Sequence, residues 1–167
     1  MATRLKLIGY WNNRFRKGLF WWPLWATGEN KEMPCPRNLV DPLWRGEDRQ
    51  KIVDYLRAGH HAYSWLGYSS CRFRCGIPDE SLGDSELTDG IWAWPEGLTH
   101  YVEHHFIRLP EAFVEHVVKN DYIVPSSVTV PPLRTGEKIF GDAFWIAWSR
   151  GRQQDGAANC CQPINTE

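Results

Sequence analysis

The chain lacks any surplus of positive charge. Its 19 Lys and Arg stand against 20 Asp and Glu, a formal net charge of −1 over 167 residues. Binding to a phosphate backbone draws on clustered cations, so nucleic acid is not an expected partner. Long hydrophobic runs are also missing. The longest apolar stretch, Leu19 to Ala26, falls well short of the ~20 residues that a membrane-spanning helix needs. Arg14, Arg16 and Lys17 lie beside it, which leaves a peripheral membrane contact through Leu19 to Trp25 as a minor reading. No secretory leader pattern opens the chain, and its five Cys follow no regular framework spacing. The expectation is a cytoplasmic protein with reduced thiols. The G-x-S-x-G elbow, the P-loop and the G-x-G-x-x-G turn are absent too, and with them the common signatures of nucleophilic catalysis and nucleotide binding.

Tryptophan, by contrast, is abundant, with ten in the chain. Each can bury about 150–250 Å². A chain of this length with that much aromatic surface can form one core without a metal or a disulfide. The expected organisation is a single α+β domain over residues 1–149 followed by a polar, disordered tail over 150–167.

Local patterns fill in the elements. Leu5 to Trp11 reads as a strand. Glu47 to Ala58 reads as a helix: Ile52, Val53, Tyr55 and Leu56 share one side, acidic residues open the first turn, and Gly59 follows the last. His61 to Cys75 reads as extended chain, kinked near Gly67 or Ser69-Ser70. Asp89-Gly90 fits a two-residue hairpin turn that pairs Thr88 with Ile91 and puts Leu87, Trp92 and Trp94 on one face. Pro95 then introduces a helix over about Glu96 to Phe106, with Leu98, Tyr101, Val102 and His105 on its buried stripe and His100, Glu103 and His104 on its solvated side. A second helix begins near Pro110 and stops at Asn120-Asp121. Phe140 to Trp148 closes the apolar pattern as helix or strand. Together these predict a small, mostly antiparallel sheet with two or three helices packed on one face.

The run Leu87-Thr88-Asp89-Gly90, Trp92, Trp94-Pro95-Glu96-Gly97-Leu98 and His100-Tyr101-Val102 resembles a pattern found in short bacterial proteins of unassigned function. Tyr55 to Gly59, Gly67 to Ser69 and Arg108 to Pro110 fit the same impression, which spans roughly residues 38–118. The resemblance implies a bacterial source and carries no activity with it.

Three constellations could carry chemistry. His100-Tyr101-Val102-Glu103-His104 matches H-x-x-E-H, in which two imidazoles four apart on a helix share a zinc and the Glu serves as general base. Cys71 and Cys75 offer a thiol pair that His60, His61, His100 or His104 could complete to four zinc ligands. On a continuous strand, however, positions four apart are separated by roughly 13 Å, too far for one ion, and buried thiols are the plainer reading. Asp79, Glu80, Asp84, Glu86 and Asp89 crowd one loop and hairpin arm without the register of a calcium loop. A solvated acidic loop is the ordinary explanation.

The sequence therefore favours a non-enzymatic binding protein that recognises another protein, with a toxin-neutralising immunity protein as its specific form. Contacts would come from Trp21, Trp22 and Trp25, from Arg72 and Arg74, and from Asp79, Glu80 and Asp84. No cofactor is required on that reading. The alternative is a zinc-dependent hydrolase with Glu103 as catalytic base and a metal held among His100, His104, Cys71 and Cys75.

Overall fold

The computed structural model describes residues 4–12, 33–44, 47–130 and 140–152. The aromatic segment with Trp21, Trp22 and Trp25, and the tail from residue 153 onward, lie outside the described residues. Within them the order is β1 (Leu5–Leu7), α1 (Glu47–Arg57), β2 (His60–Ser64), β3 (Ser85–Thr88), β4 (Trp92–Pro95), α2 (Leu98–His105), α3 (Glu111–Lys119), β5 (Phe140–Gly141) and α4 (Ala143–Arg150). The strands form one sheet in the order β2-β3-β4-β1-β5. The longer pairings, β2 with β3 and β3 with β4, are antiparallel, and β1 joins β4 and β5 in short parallel pairs. The α+β architecture is as expected, with the parallel edge an addition.

The aromatic residues of β4 organise the core. Trp92 and Trp94 alternate onto one face of the sheet and are almost fully buried. The indole N–H of Trp94 donates to the carbonyl of Leu56 in α1 at 3.1 Å. Trp92 meets the edge of Phe113 from α3 at 5.4 Å and of Phe144 from α4 at 5.2 Å. Three helices are thereby pinned to one face. Gly59 follows α1 for more than a capping reason. A Cβ there would stand 2.6 Å from Cζ2 of Trp94, so only hydrogen fits beneath the indole.

The hairpin turn differs from its prediction by a small slide. Thr88 lies opposite Ala93 and Leu87 opposite Trp94, which centres the reversal on Gly90-Ile91. The Asp89 side chain causes this. Its Oδ1 accepts the backbone N–H groups of Ile91 at 2.9 Å and Trp92 at 2.7 Å, while Oδ2 accepts the Tyr55 hydroxyl at 2.8 Å. Drawn inward by these donors, Asp89 acts as the anchor of the turn and not as one of its two central residues. Each cross-strand partner moves by two positions, so the faces are preserved, and Trp92 and Trp94 still share theirs with Leu87.

Two further expectations are corrected. The first strand ends at Leu7, because Gly9 takes a left-handed φ of 79° and sits against Leu98, whose Cδ2 would be 2.8 Å from any added Cβ. The extended reading of residues 61–75 holds only to Ser64. Beyond it the chain turns, and that change decides the geometry of the site.

Candidate metal centre

Cys71 does not lie on a strand. The N–H of Arg74 donates back to the carbonyl of Cys71 at 3.0 Å, which closes a reverse turn. Arg74 then takes a φ of 53° and Gly76 one of 85°. The turn folds Cys75 back toward Cys71, so the separation that argued against a shared ion does not apply. A hydrogen bond of 2.9 Å from the N–H of Arg72 to the hydroxyl of Tyr101 ties this turn to α2.

Helix α2 supplies the opposing side. Its first turns bury Leu98, Thr99, His100, Tyr101 and Val102. His100, expected on the solvated side, therefore points inward. The Arg49 guanidinium of α1 donates to the carbonyls of Val102 at 3.1 Å and Glu103 at 2.9 Å, satisfying acceptors that a helix C-terminus leaves without partners. Phe106 ends the helix in the left-handed region, with its φ at 54°. His105, the last helical residue, has its ring beside that of His100, with centroids 4.8 Å apart.

Four donor atoms converge. Sγ of Cys71 is 3.2 Å from Nε2 of His105, Sγ of Cys75 is 3.4 Å from Nε2 of His100, and the two Nε2 atoms are 3.0 Å apart. All four lie within 4.8 Å of one another. Zinc binds thiolate sulfur at ≈ 2.3 Å and imidazole nitrogen at ≈ 2.0–2.1 Å in a tetrahedron, which spaces neighbouring donors by about 3.3–3.8 Å. The set is near that size and of the Cys₂His₂ type. Both thiols are free.

The surroundings favour neutral imidazoles. Burial lowers the pKa of His105 to about 4, helped by His100, His104 and Arg37. Burial also lowers that of His100, with His104 acting in the same direction and Glu103 opposing. Neutral imidazole is the form that binds a metal. Burial pushes the Cys71 thiol up, so a nearby cation is what would favour its thiolate. The ring of Phe73, from the middle of the turn, stacks on His105 at 4.1 Å between centroids and an interplanar angle of 8°. Arg37 covers the Phe73 ring at 5.0 Å. The Nδ1 of His100 is buried with no hydrogen-bond partner among the described residues.

The other sequence candidates are placed as follows. His104 is largely exposed, and Glu103 accepts from Arg57 at 2.5 Å, with His104 itself 3.4 Å from the same oxygen. The helix thus sends His100 to the thiols and leaves Glu103 in a salt bridge with α1. His60 approaches the carbonyl of Pro125 at 2.7 Å and His61 the hydroxyl of Ser64 at 3.0 Å, each in a contact of its own. Arg74, Asp79 and Glu80 are exposed, while Arg72 and Asp84 are half-buried. They are not gathered at the thiol–imidazole cluster, apart from the two arginines that ride on its turn. His105 was missed as a ligand because its place on the buried stripe with Leu98, Tyr101 and Val102 made it read as core. The usable signal was the clustering of His100, His104 and His105 after a Cys pair. Compared with protein-family models, with curated proteins and with solved structures, the chain shows no significant match.

Proposed function

We propose that this chain is a non-enzymatic zinc-binding module in which Cys71, Cys75, His100 and His105 hold one ion as a structural centre. The convergence of four soft and borderline donors from a turn and a helix carries the reading. Four protein ligands fill a tetrahedron and leave no open position for water or substrate, which is the pattern of structural and not catalytic zinc. The ion would fasten the 71–76 turn to α2. That role fits the absence of a catalytic signature in the sequence and the engagement of Glu103 by Arg57. Recognition of another protein, in the form of toxin neutralisation, remains the wider proposal. It rests on the exposed charged groups Arg74, Asp79 and Glu80.

The test is the metal content of protein purified without chelators, followed by cobalt substitution. One equivalent of zinc is expected, and cobalt should give the visible spectrum of a tetrahedral site with mixed sulfur and nitrogen ligands. His105→Ala and Cys75→Ser should each lose the ion, and His104→Ala should keep it. Retention in His105→Ala together with loss in His104→Ala would favour the H-x-x-E-H hydrolase instead. Protein that takes up neither metal refutes both.

A further inference from the structure

On the side of the sheet where Glu86 is buried, a cavity of about 680 Å³ opens between the chain after β1, the loop after β2 and the start of α2. Its walls include Tyr10, Trp11, Trp65, Tyr68 and Tyr101. The volume is that of a small-molecule site, for which apolar and aromatic walls with few polar groups are usual. The polar groups here have a bias. Asp84 and Glu96 line the cavity, and among the described residues Arg72 is the one guanidinium on its wall. Nη1 of Arg72 donates to the carbonyl of Ser70 at 3.0 Å and to its hydroxyl at 3.2 Å.

A third carboxylate stands behind the wall. The Tyr10 hydroxyl donates to Oε2 of Glu86, and the Trp65 indole N–H approaches the same oxygen at 3.4 Å. Two cavity rings are thus anchored on one acidic group. Glu86 is wholly buried, and its Oε1 has no hydrogen-bond partner among the described residues. Burial raises the pKa of this carboxyl to about 7, against the pull of its two donors. Once ionised, above about pH 7, Glu86 is a buried carboxylate with no counter-charge among the described residues, which is costly, and a cation seated against the aromatic wall would supply one. The Trp65 ring remains about half exposed at the rim, beside the outward-facing Leu66 and Tyr68.

We propose that this cavity binds a small organic cation of the quaternary-ammonium type, held over the Trp65, Tyr10 and Tyr68 rings and balanced by Glu86. Ring faces attract alkylated ammonium groups through their quadrupole, most strongly when water is excluded. Among the described residues, Asp84 and Glu96 on the wall and Glu86 behind it stand against Arg72, a balance that disfavours anions. Neutral polyols would leave Glu86 uncompensated. The site uses none of the four donors of the thiol–imidazole cluster, although Arg72 and Tyr101 of its wall also tie the Cys71–Cys75 turn to α2.

The experiment is calorimetric titration of the full chain with choline and with its uncharged tert-butyl isostere. Choline should bind saturably in the range up to tens of millimolar, and the isostere should bind about tenfold more weakly or not at all. Trp65→Ala should lose about tenfold in affinity, Trp65→Phe should retain most of it, and Glu86→Gln should weaken choline alone. Circular dichroism checks that each variant is folded. Trp65 is a rim residue, so its variants test the site even if Glu86→Gln disturbs the strand. Phosphatidylcholine vesicles separate a free cation from a lipid head group, and binding to either supports the ammonium chemistry. Equal binding of choline and its isostere, no binding of choline, or an unchanged Trp65→Ala would overturn the proposal.

Discussion

Glu86 shows how one residue can make stability depend on pH. It was read from sequence as part of a solvated acidic arm, yet it is fully buried on β3, because its strand faces covered ground on both sides of the sheet. Its carboxyl titrates near 7 instead of 4.5, so between those values the folded chain holds a proton that the unfolded chain has released. Stability therefore falls as pH rises through that window, by on the order of 3 kcal/mol for this group alone. His105 contributes in the opposite direction below its usual pKa of 6.5, since its folded form stays neutral down to about 4. Glu86→Gln isolates the acid. Urea midpoints of the wild type and the variant, compared at about pH 5 and about pH 8, should converge or cross as pH rises, with the Gln protein gaining relative to the wild type. Parallel profiles would mean that Glu86 does not titrate in this range.

Among the elements, the hairpin β3–β4 is the one most exposed to a single change. Asp89 is buried, and its two oxygens accept the N–H of Ile91, the N–H of Trp92 and the hydroxyl of Tyr55, with the His116 ring nitrogen 2.9 Å from the second oxygen. Removing this carboxylate leaves several buried donors without an acceptor, each costing about 1–3 kcal/mol. Asp89→Ala is expected to destabilise the fold by roughly 3 kcal/mol or more, read as a lowered urea midpoint with an unchanged slope. A loss below about 1 kcal/mol would show that water replaces the side chain without strain. The Asp-Gly dipeptide announced a reversal here, and the alternation of Trp92 and Trp94 announced the buried face. The register could not be read locally, because Tyr55 and His116 reach Asp89 from α1 and α3, distant in sequence.

For the whole molecule the question is whether the core depends on the metal centre. The cluster of buried aromatics, with Trp92, Trp94, Trp145, Tyr55 and Phe113 among its largest fully buried side chains, draws on β4, α1, α3 and α4, whereas the Cys71–Cys75 turn is tied to α2 and adds Cys71 to the core. Chelation of zinc-loaded protein should therefore lower the thermal midpoint by several degrees through loss of the ion's binding free energy, while the near-ultraviolet signal of the tryptophans at low temperature is kept. Collapse of that signal on chelation would make the ion a condition of folding. Among the described residues no helix is long and apolar enough to cross a membrane. What the sequence settled alone was whatever depends on near neighbours and on composition: the helices α1, α2 and α3 from their apolar stripes and end signals, the β3–β4 reversal, and an aromatic core in an α+β fold. Tertiary structure alone decided the thiol–imidazole cluster, which needs the reverse turn at Cys71 and its tie to Tyr101 of α2 to bring four side chains together. It also decided the acid behind the aromatic wall. Periodicity registers which way a side chain points from its own element, whereas a site is defined by what the other elements put in front of it.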